Sequence, residues 1–240
     1  MRKIHVITQK ELVDSHLICG CTAVVIDVFL ATSTITALIE SQYTEVFAVK
    51  DASIALDQAN TLQTPCLLMG ESNGKSIDQF IYPDPTLIEH PVGKQSAVIC
   101  STNGTVAIQK AQFAKRLYAS SLVNGDRVSE DIVLKGDDSS VVLICSGNAG
   151  RFSIEDFVGA GQLIDHLLTQ GTFTLSDAAT SARESYQQAR AKHFINLLTT
   201  ETADLLSQTG YEHTIHWVLS NIENLKAVPI YQHGRFVAAQ

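Results

Sequence analysis

Three stretches of the chain repeat one local design: a short apolar run, a turn of small polar residues, then a helix-like segment. Val24-Val25-Ile26 leads to Asp27 and then to Ala31-Thr32-Ser33-Thr34. Ala97 to Cys100 leads to Ser101-Thr102-Asn103-Gly104-Thr105, and Val141 to Cys145 leads to Ser146-Gly147-Asn148-Ala149-Gly150-Arg151. Small residues let backbone N–H groups approach an oxyanion, hydroxyls add donors, and the following helix N-terminus adds partial positive charge. The chemistry such turns suit is anion binding. None of them has the Gly-Lys-Ser/Thr ending of a Walker A loop, so nucleoside triphosphate binding is not supported. Helix capping is the competing explanation for each turn taken alone, and Ser153-Ile154-Glu155-Asp156 has the spacing of a capping box.

Carboxylates accompany these turns. Asp27 ends an apolar run, where an ionised side chain is costly unless it is paired or holds a metal. Glu71 follows Gly70 directly after the apolar run Cys66 to Met69, so it should emerge at a strand end too. Glu155 and Asp156 fall in the first turn of the helix after the third motif, and one of them should point into the same cleft. Hard oxygen ligands of this kind suit Mg²⁺, which keeps several waters and bridges to substrate phosphate. An acidic protein that binds an anion needs such an intermediary: two unit charges about 4 Å apart at an effective dielectric near 20 interact by about 4 kcal/mol.

Among the cations, Lys75 and Arg151 are nearest to the turns, and the guanidinium suits bidentate recognition of phosphate, carboxylate or sulfonate. Most of the histidines are isolated. His213 and His216 are three apart but have no visible third ligand, so surface or packing roles are expected for them. No Gly-x-Ser-x-Gly elbow is present, which removes support for an α/β-hydrolase triad.

The elements that must position these residues follow from hydrophobic patterning. Strands are expected at Lys3–Ile7, Thr22–Val28, Glu45–Val49, Cys66–Met69, Ala97–Cys100, Arg116–Ala119 and Ser140–Cys145, with a last one near Val228–Tyr231. Helices are expected at Ser33–Ser41, Ala52–Asn60, Thr105–Ala114 and Val123–Leu134, and over most of the chain after Ser153. Buried apolar strands alternating with helices predict an α/β fold: a layered, largely parallel or mixed sheet with helices on both faces and a helix-rich C-terminal part. The carboxyl ends of parallel strands are the edge where such sheets bind ligands, so the three turns should converge. Glu71 to Val92 holds three of the five prolines and reads as a long irregular excursion, of the kind that is usually functional or disordered. No linker composition marks a boundary, so residues 1–240 are expected to form one domain, in which the helical region 153–220 is a candidate lobe.

Composition bounds the function. The chain has 240 residues, 45% of them hydrophobic and 18% charged, and a formal charge of -8, which suits a packed core and rules out disorder. The acidic balance and scattered basic residues disfavour nucleic acid, and no apolar run is long enough to span a membrane. The N-terminus lacks a leader pattern, and a cytoplasmic location is expected. The five cysteines, an odd number, are expected to be reduced and mostly buried. Parallel-sheet proteins with a helical face often form homodimers, which keeps that assembly in view, although no interface announces itself in sequence.

Taken together, VVIDVFLATSTI, GESNGK, STNGTVA, SSLVNG and SGNAGRFSIEDFVGAG resemble the 2-phosphosulfolactate phosphatase family, in the same order and at similar separations. The resemblance runs from about Val24 to Gly161 and continues more weakly to Val228-Pro229. It implies a Mg²⁺-dependent hydrolase that converts 2-phospho-3-sulfolactate to 3-sulfolactate and phosphate, on an α/β fold of its own, in coenzyme M biosynthesis. Asp27, Glu71, the Ser101 to Thr105 turn, Asn124, and Gly147 through Asp156 match the family pattern. Two places depart from it. Family members carry an arginine immediately before the Ala-Thr-Ser-Thr turn, where this chain has Leu30. The family's Gly-Phe-Asp-Leu-Gly-Asn-Ser-Pro run should fall near Gln79 to Pro85, where this chain reads QFIYPDP.

On this reading Asp27, Glu71 and Asp156 are the catalytic and metal-holding acids. Thr32, Ser33, Thr34, Ser101, Thr102, Asn103, Gly104, Thr105, Asn124, Gly147 and Arg151 contact a small anionic phosphorylated substrate. Direct attack by water and an enzyme nucleophile are both compatible with these residues. The aspartyl-phosphate pattern of haloacid-dehalogenase phosphatases would need a second acid two residues after Asp27, where Phe29 stands. Three functions fit the sequence: this phosphatase or one for a related phosphorylated hydroxy acid, a non-catalytic anion-binding or regulatory member of the family, and an unrelated α/β transferase.

Overall fold

Short runs of β-branched and aliphatic residues form the strands, and the segments between them form the helices. The computed structural model describes residues 2–91 and 93–239. In chain order these are β1 (Arg2–Ile7), β2 (Thr22–Ile26), α1 (Ala31–Glu40), β3 (Glu45–Val49), α2 (Ala52–Thr61), β4 (Cys66–Ser72), β5 (Lys75–Ser76), β6 (Ser96–Cys100), α3 (Gly104–Ala111), β7 (Arg116–Ser120), α4 (Gly125–Leu134), β8 (Val141–Cys145), α5 (Ile154–Gln170), β9 (Phe173–Leu175), α6 (Asp177–Ala191), α7 (Glu201–Gln208), α8 (Glu212–Ser220), β10 (Pro229–Gln232) and β11 (Arg235–Ala238). The strands lie side by side in the order β5-β4-β6-β3-β11-β10-β7-β2-β8-β1-β9.

Two parallel blocks make up the sheet. In one, β4 and β3 flank β6; in the other, β7, β2, β8, β1 and β9 follow one another. The C-terminal hairpin joins the blocks, β10 meeting β7 at Ile230↔Tyr118 and β11 meeting β3 at Phe236↔Val46, both antiparallel. Its turn has His233 at φ 51 and Gly234 at φ 87, the double left-handed geometry that closes a two-residue hairpin. The sequence pattern indicates one strand there, because His-Gly is a weak turn signal. Two further strands, β5 and β9, are too short for a pattern to reveal.

Strand alternation divides the core. Val24 and Ile26 pack with Ile4, Leu143 and Leu163 under α5 and α6, whereas Ala23 and Val25 face a second apolar layer. That layer contains Ile35 and Leu38 of α1, Ile108 of α3, and Ala97 and Ile99 of β6. Thus α1 and α3 pack across strands of both blocks, and each fully buried aliphatic side chain contributes about 1.5–3 kcal/mol of transfer free energy. Val98 and Cys100 face the other way, against Ala55 of α2. Helices therefore cover both faces, as the alternation predicts.

After β8 the chain is mostly helical. α5 packs on β8, β2 and α4; α6 packs on α5 and β1; and α8 reaches the 3₁₀ turn Pro85–Leu87. The expected irregular excursion from Glu71 is more ordered than its prolines suggest. Glu71 and Ser72 pair with Ser76 and Lys75, Ile81 bridges Met69, and Tyr82 to Pro85 are buried; Val92 lies outside the described residues. No helix among the described residues is long and apolar enough to cross a membrane. The five cysteines are unpaired, but only Cys100 and Cys145 are buried, and Cys19 is exposed. The expectation of mostly buried thiols fails because Cys19 and Cys21 sit in the turn before β2 rather than in an apolar run.

Candidate active site

Parallel pairing of β1, β2 and β8 brings their carboxyl ends to one edge, and the ends of β4 and β6 meet them there. The result is one cavity of about 220 Å³, lined by Asp27 and Ala31 of the first turn, Ser101, Thr102 and Asn103 of the second, Asn148, Ala149 and Arg151 of the third, and Glu71. The three turns converge as expected.

Asp27 is 6% exposed, and its Oδ1 accepts a hydrogen bond from the Ala31 N–H at 3.2 Å. Burial pushes its carboxyl up to about 7. The charges of Glu71 and Glu155 add to that rise, while the Ala31 N–H and Lys10 oppose it. Glu71 is held from two sides: Oε1 accepts from the Thr102 N–H at 2.6 Å, and Oε2 from the Gly74 N–H at 2.7 Å and the Thr102 hydroxyl at 3.1 Å. It thereby ties the β4–β5 hairpin to the second turn.

Asp156 behaves differently. Its Oδ1 accepts from the Val28 N–H at 2.9 Å and its Oδ2 from the Gly147 N–H at 3.1 Å, so both oxygens clamp the first turn to the third. Its own N–H donates to Ser153, the capping contact the sequence suggests. Burial, followed by the charges of Asp27 and Glu155, raises its carboxyl well above the ordinary range. Asp156 is 2% exposed and does not line the cavity.

The turn hydroxyls are mostly consumed within the fold. Thr32 Oγ1 donates to carbonyls of Asp27 and Ser120, Ser33 Oγ to Val28, Thr34 Oγ1 to Pro83 and Thr105 Oγ1 to Ser101. Asn124 accepts from the Ser121 N–H and donates to the Ala227 carbonyl. Thr32, Ser33, Thr34, Thr105 and Asn124 are all fully buried and none lines the cavity, which gives them a framework role in place of the expected contact with substrate. Gly104 sits where a Cβ would meet Asp27 Oδ2. Gly147 has φ +72, and a Cβ there would meet the Arg151 carbonyl. Ser101, Thr102, Asn103 and Arg151 do face the cavity. Lys75 is exposed on β5 and does not line it.

Sequence reasoning missed Lys10. It is 6% exposed, and its Nζ donates to Asn103 Oδ1 at 2.7 Å and pairs with Glu11 at 2.9 Å. Asn103 Oδ1 also accepts from the Ala149 N–H at 3.1 Å, so its amide joins the second and third turns. Lys10 follows β1, a strand whose carboxyl end lies on the same edge, and that placement was the available signal. Also missed were Thr202, Leu205 and Leu206 of α7, which complete the cavity. The α7–α8 segment is tied down by Tyr211, stacked on Tyr82 at 3.5 Å, and by His213 Nε2, 2.6 Å from Oδ2 of the buried Asp84. Arg151 pairs with Glu201 at 3.0 Å at the rim.

For a divalent cation the donor set offers two cavity acids. Among the described residues no three His, Cys, Asp or Glu side chains group to hold a metal ion. The expected trio of Asp27, Glu71 and Asp156 does not form at the cavity, because Asp156 is buried between the first and third turns and lies outside the lining. Asp27 and Glu71 remain, and two carboxylates suffice for Mg²⁺ when waters and a phosphate complete its shell.

Comparison with known proteins places nearly the whole chain in one family. The family model described as 2-phosphosulpholactate phosphatase matches residues 7–234. The chain is 29% identical over 221 residues to a probable 2-phosphosulfolactate phosphatase of Clostridium novyi, covering 91% of this chain and 92% of the relative. It is 28% identical to the protein of that name from Clostridium beijerinckii, with 96% of each covered, and 30% identical to that from Thermotoga maritima, with 90% of this chain and 91% of the relative covered. This chain belongs to the 2-phosphosulfolactate phosphatase family, a family of phosphoric monoester hydrolases.

Proposed function

We propose that this protein is a Mg²⁺-dependent phosphomonoester hydrolase acting on 2-phospho-3-sulfolactate or a related 2-phosphohydroxy acid. The observation that carries the reading is the meeting of Asp27 and Glu71 with three small-residue turns in one cavity of about 220 Å³, in a chain of this family. Asp27 and Glu71 would hold Mg²⁺, which when bound neutralises phosphate charge and polarises a phosphoryl oxygen.

The chain's own groups supply the rest. Ser101 Oγ accepts from the Thr105 N–H, so its own proton is free to be donated to a phosphoryl oxygen. Lys10 and Ala149 fix the Asn103 amide through its oxygen, leaving Nδ2 to donate toward the substrate. Arg151 at the rim suits the substrate carboxylate. In the overall step a water oxygen bonds to phosphorus, the bond between phosphorus and the C2 oxygen breaks, and one proton passes net from the attacking water to the departing alkoxide. The five unpaired cysteines, with Cys19 exposed, suit a reducing cytoplasmic setting.

The test is release of inorganic phosphate from 2-phospho-3-sulfolactate, 2-phospholactate and 3-phosphoglycerate with Mg²⁺ and with EDTA. Turnover that depends on Mg²⁺ and falls at least a hundredfold in Asp27→Asn is expected. A protein that releases no phosphate from any of these compounds would not be the proposed hydrolase.

A further inference from the structure

The cavity has two unlike sides. Asp27, Glu71 and the second and third turns supply its polar part, while Phe29, Leu30, Tyr82, Pro83, Leu205 and Leu206 supply most of the rest, with Asn73 and Thr202 among them. Phe29, Leu30, Tyr82 and Leu206 are each no more than 8% exposed, so this wall is packed in place by the fold. Arg151 is the one cation among the described residues that line the cavity; its side chain is 60% exposed and already paired with Glu201. Lys10 is engaged by Glu11 and Asn103 and lies outside the lining.

Charge accounting then separates possible substrates. A 2-phosphohydroxy acid with a sulfonate on C3 brings three anionic groups. Its phosphate has the acid-and-metal side and its carboxylate has Arg151, but the third anion finds no second cation in the lining, only neutral donors such as Thr202 and the Tyr82 hydroxyl among apolar side chains, a poor exchange for its hydration. An aliphatic group in the same place loses nothing polar and gains about fourfold in affinity for each buried methylene. We infer that this chain prefers 2-phosphohydroxy acids whose C3 substituent is apolar, the selecting surface being Phe29, Leu30, Tyr82, Pro83, Leu205 and Leu206. This deepens the hydrolase reading given above and rests on it.

The experiment compares three compounds that share the C2 phosphate and the carboxylate: 2-phospholactate, the 2-phospho derivative of 2-hydroxy-4-methylpentanoate, and 2-phospho-3-sulfolactate. Phosphate release is followed with Mg²⁺, and affinity is followed by calorimetry with Ca²⁺ in its place. The branched aliphatic compound is expected to exceed the sulfonated one at least tenfold in kcat/KM and to bind more tightly. Equal or reversed order, in turnover or in binding, overturns the inference. Absence of phosphate release with the order of binding preserved would instead remove the hydrolase reading and keep the apolar preference.

Leu30→Arg should move the ratio at least tenfold toward the sulfonated compound. Because Leu30 is buried, Leu205→Lys on the half-exposed face of α7 provides a second variant with the same expected direction. A folded Leu205→Lys protein with an unmoved ratio would count against this wall as the selector.

Discussion

A Cβ atom on Gly104 would lie 2.5 Å from Oδ2 of Asp27 and 2.5 Å from Cβ of Ala31. The start of α3 therefore reaches the buried carboxylate only because residue 104 has no side chain. Gly104→Ala must push α3 or Asp27 aside, an overpacking that costs about 1–3 kcal/mol. Displacing the acid by even a fraction of an ångström should reduce turnover at least tenfold. Thermal unfolding and phosphate release measured together check this; a Gly104→Ala protein with unchanged turnover would show that Asp27 does not need its present position.

The burial that raises Asp27 to about 7 has a stability consequence with a definite sign. The folded state holds the proton more tightly than the unfolded chain, whose ordinary value is 3.8, so stability falls as pH rises from about 4 to about 7 and is level above that. Each unit of such a shift corresponds to about 1.4 kcal/mol. Asp27→Asn keeps an oxygen for the Ala31 N–H and removes the charge. In EDTA it should be more stable than the parent at pH 8, by up to a few kcal/mol on this scale, and nearly equal at pH 4. Asp156, raised by burial first and then by the charges of Asp27 and Glu155, leaves part of the slope in place. Denaturant titrations at the two pH values decide; equal slopes in parent and variant would refute the assignment.

Much of this site was legible in the residues, for a physical reason. A buried strand followed by small polar residues is written locally, so the three turns and the acids at 27 and 71 could be read without a structure. What could not be read is what each hydroxyl bonds to. Thr32, Ser33 and Thr34 look like anion donors in sequence, yet their protons go to carbonyls of Asp27, Val28 and Pro83, partners up to 49 residues away. Asp156 was legible as an acid at a helix start but not as a clamp between turns, because Val28 lies 128 residues earlier. Lys10 and Leu205 come from outside the motifs altogether. Only the parallel placement of β1 and the folding-back of α7 bring them to the cavity.

Tyr82 and Tyr211 stack with ring centroids 3.5 Å apart and planes 6° from parallel, and the Tyr211 hydroxyl pairs with Ser76 at 2.7 Å. This contact holds the α7–α8 segment over the cavity, where Leu205 and Leu206 complete the wall. Tyr211→Ala should lower stability by about 1–2 kcal/mol, part of it from the aromatic pair. It should also raise KM severalfold and speed hydrogen exchange of α7 amides. Tyr211→Phe keeps the stack and loses only the Ser76 bond, so it should stay close to the parent on all three measures. Exchange in α7 that is unaltered in the alanine variant would show that other contacts seat this helix.

Away from the cavity, His166 donates from Nε2 to Glu223 Oε1 at 2.8 Å, and Gln162 adds a second hydrogen bond to the same oxygen at 3.0 Å. The bond to Glu223 holds the imidazole above its ordinary value of 6.5 against partial burial, and the bond from His166 holds the Glu223 carboxyl below its ordinary 4.5. A raised histidine stabilises fully below 6.5 and loses that contribution as pH rises through its folded value. A lowered carboxylate stabilises fully above 4.5 and loses its contribution as pH falls through its own. The pair is therefore fully effective between about 4.5 and 6.5. Because both side chains are partly exposed, it is worth no more than about 0.5–1 kcal/mol. Glu223→Gln should bring the His166 titration, followed by NMR, down to its ordinary value or below, and should remove this part of the stability lost between pH 6 and pH 9. A His166 titration that did not move would assign its shift to Asp126 and Asp165, the remaining negative charges that raise it.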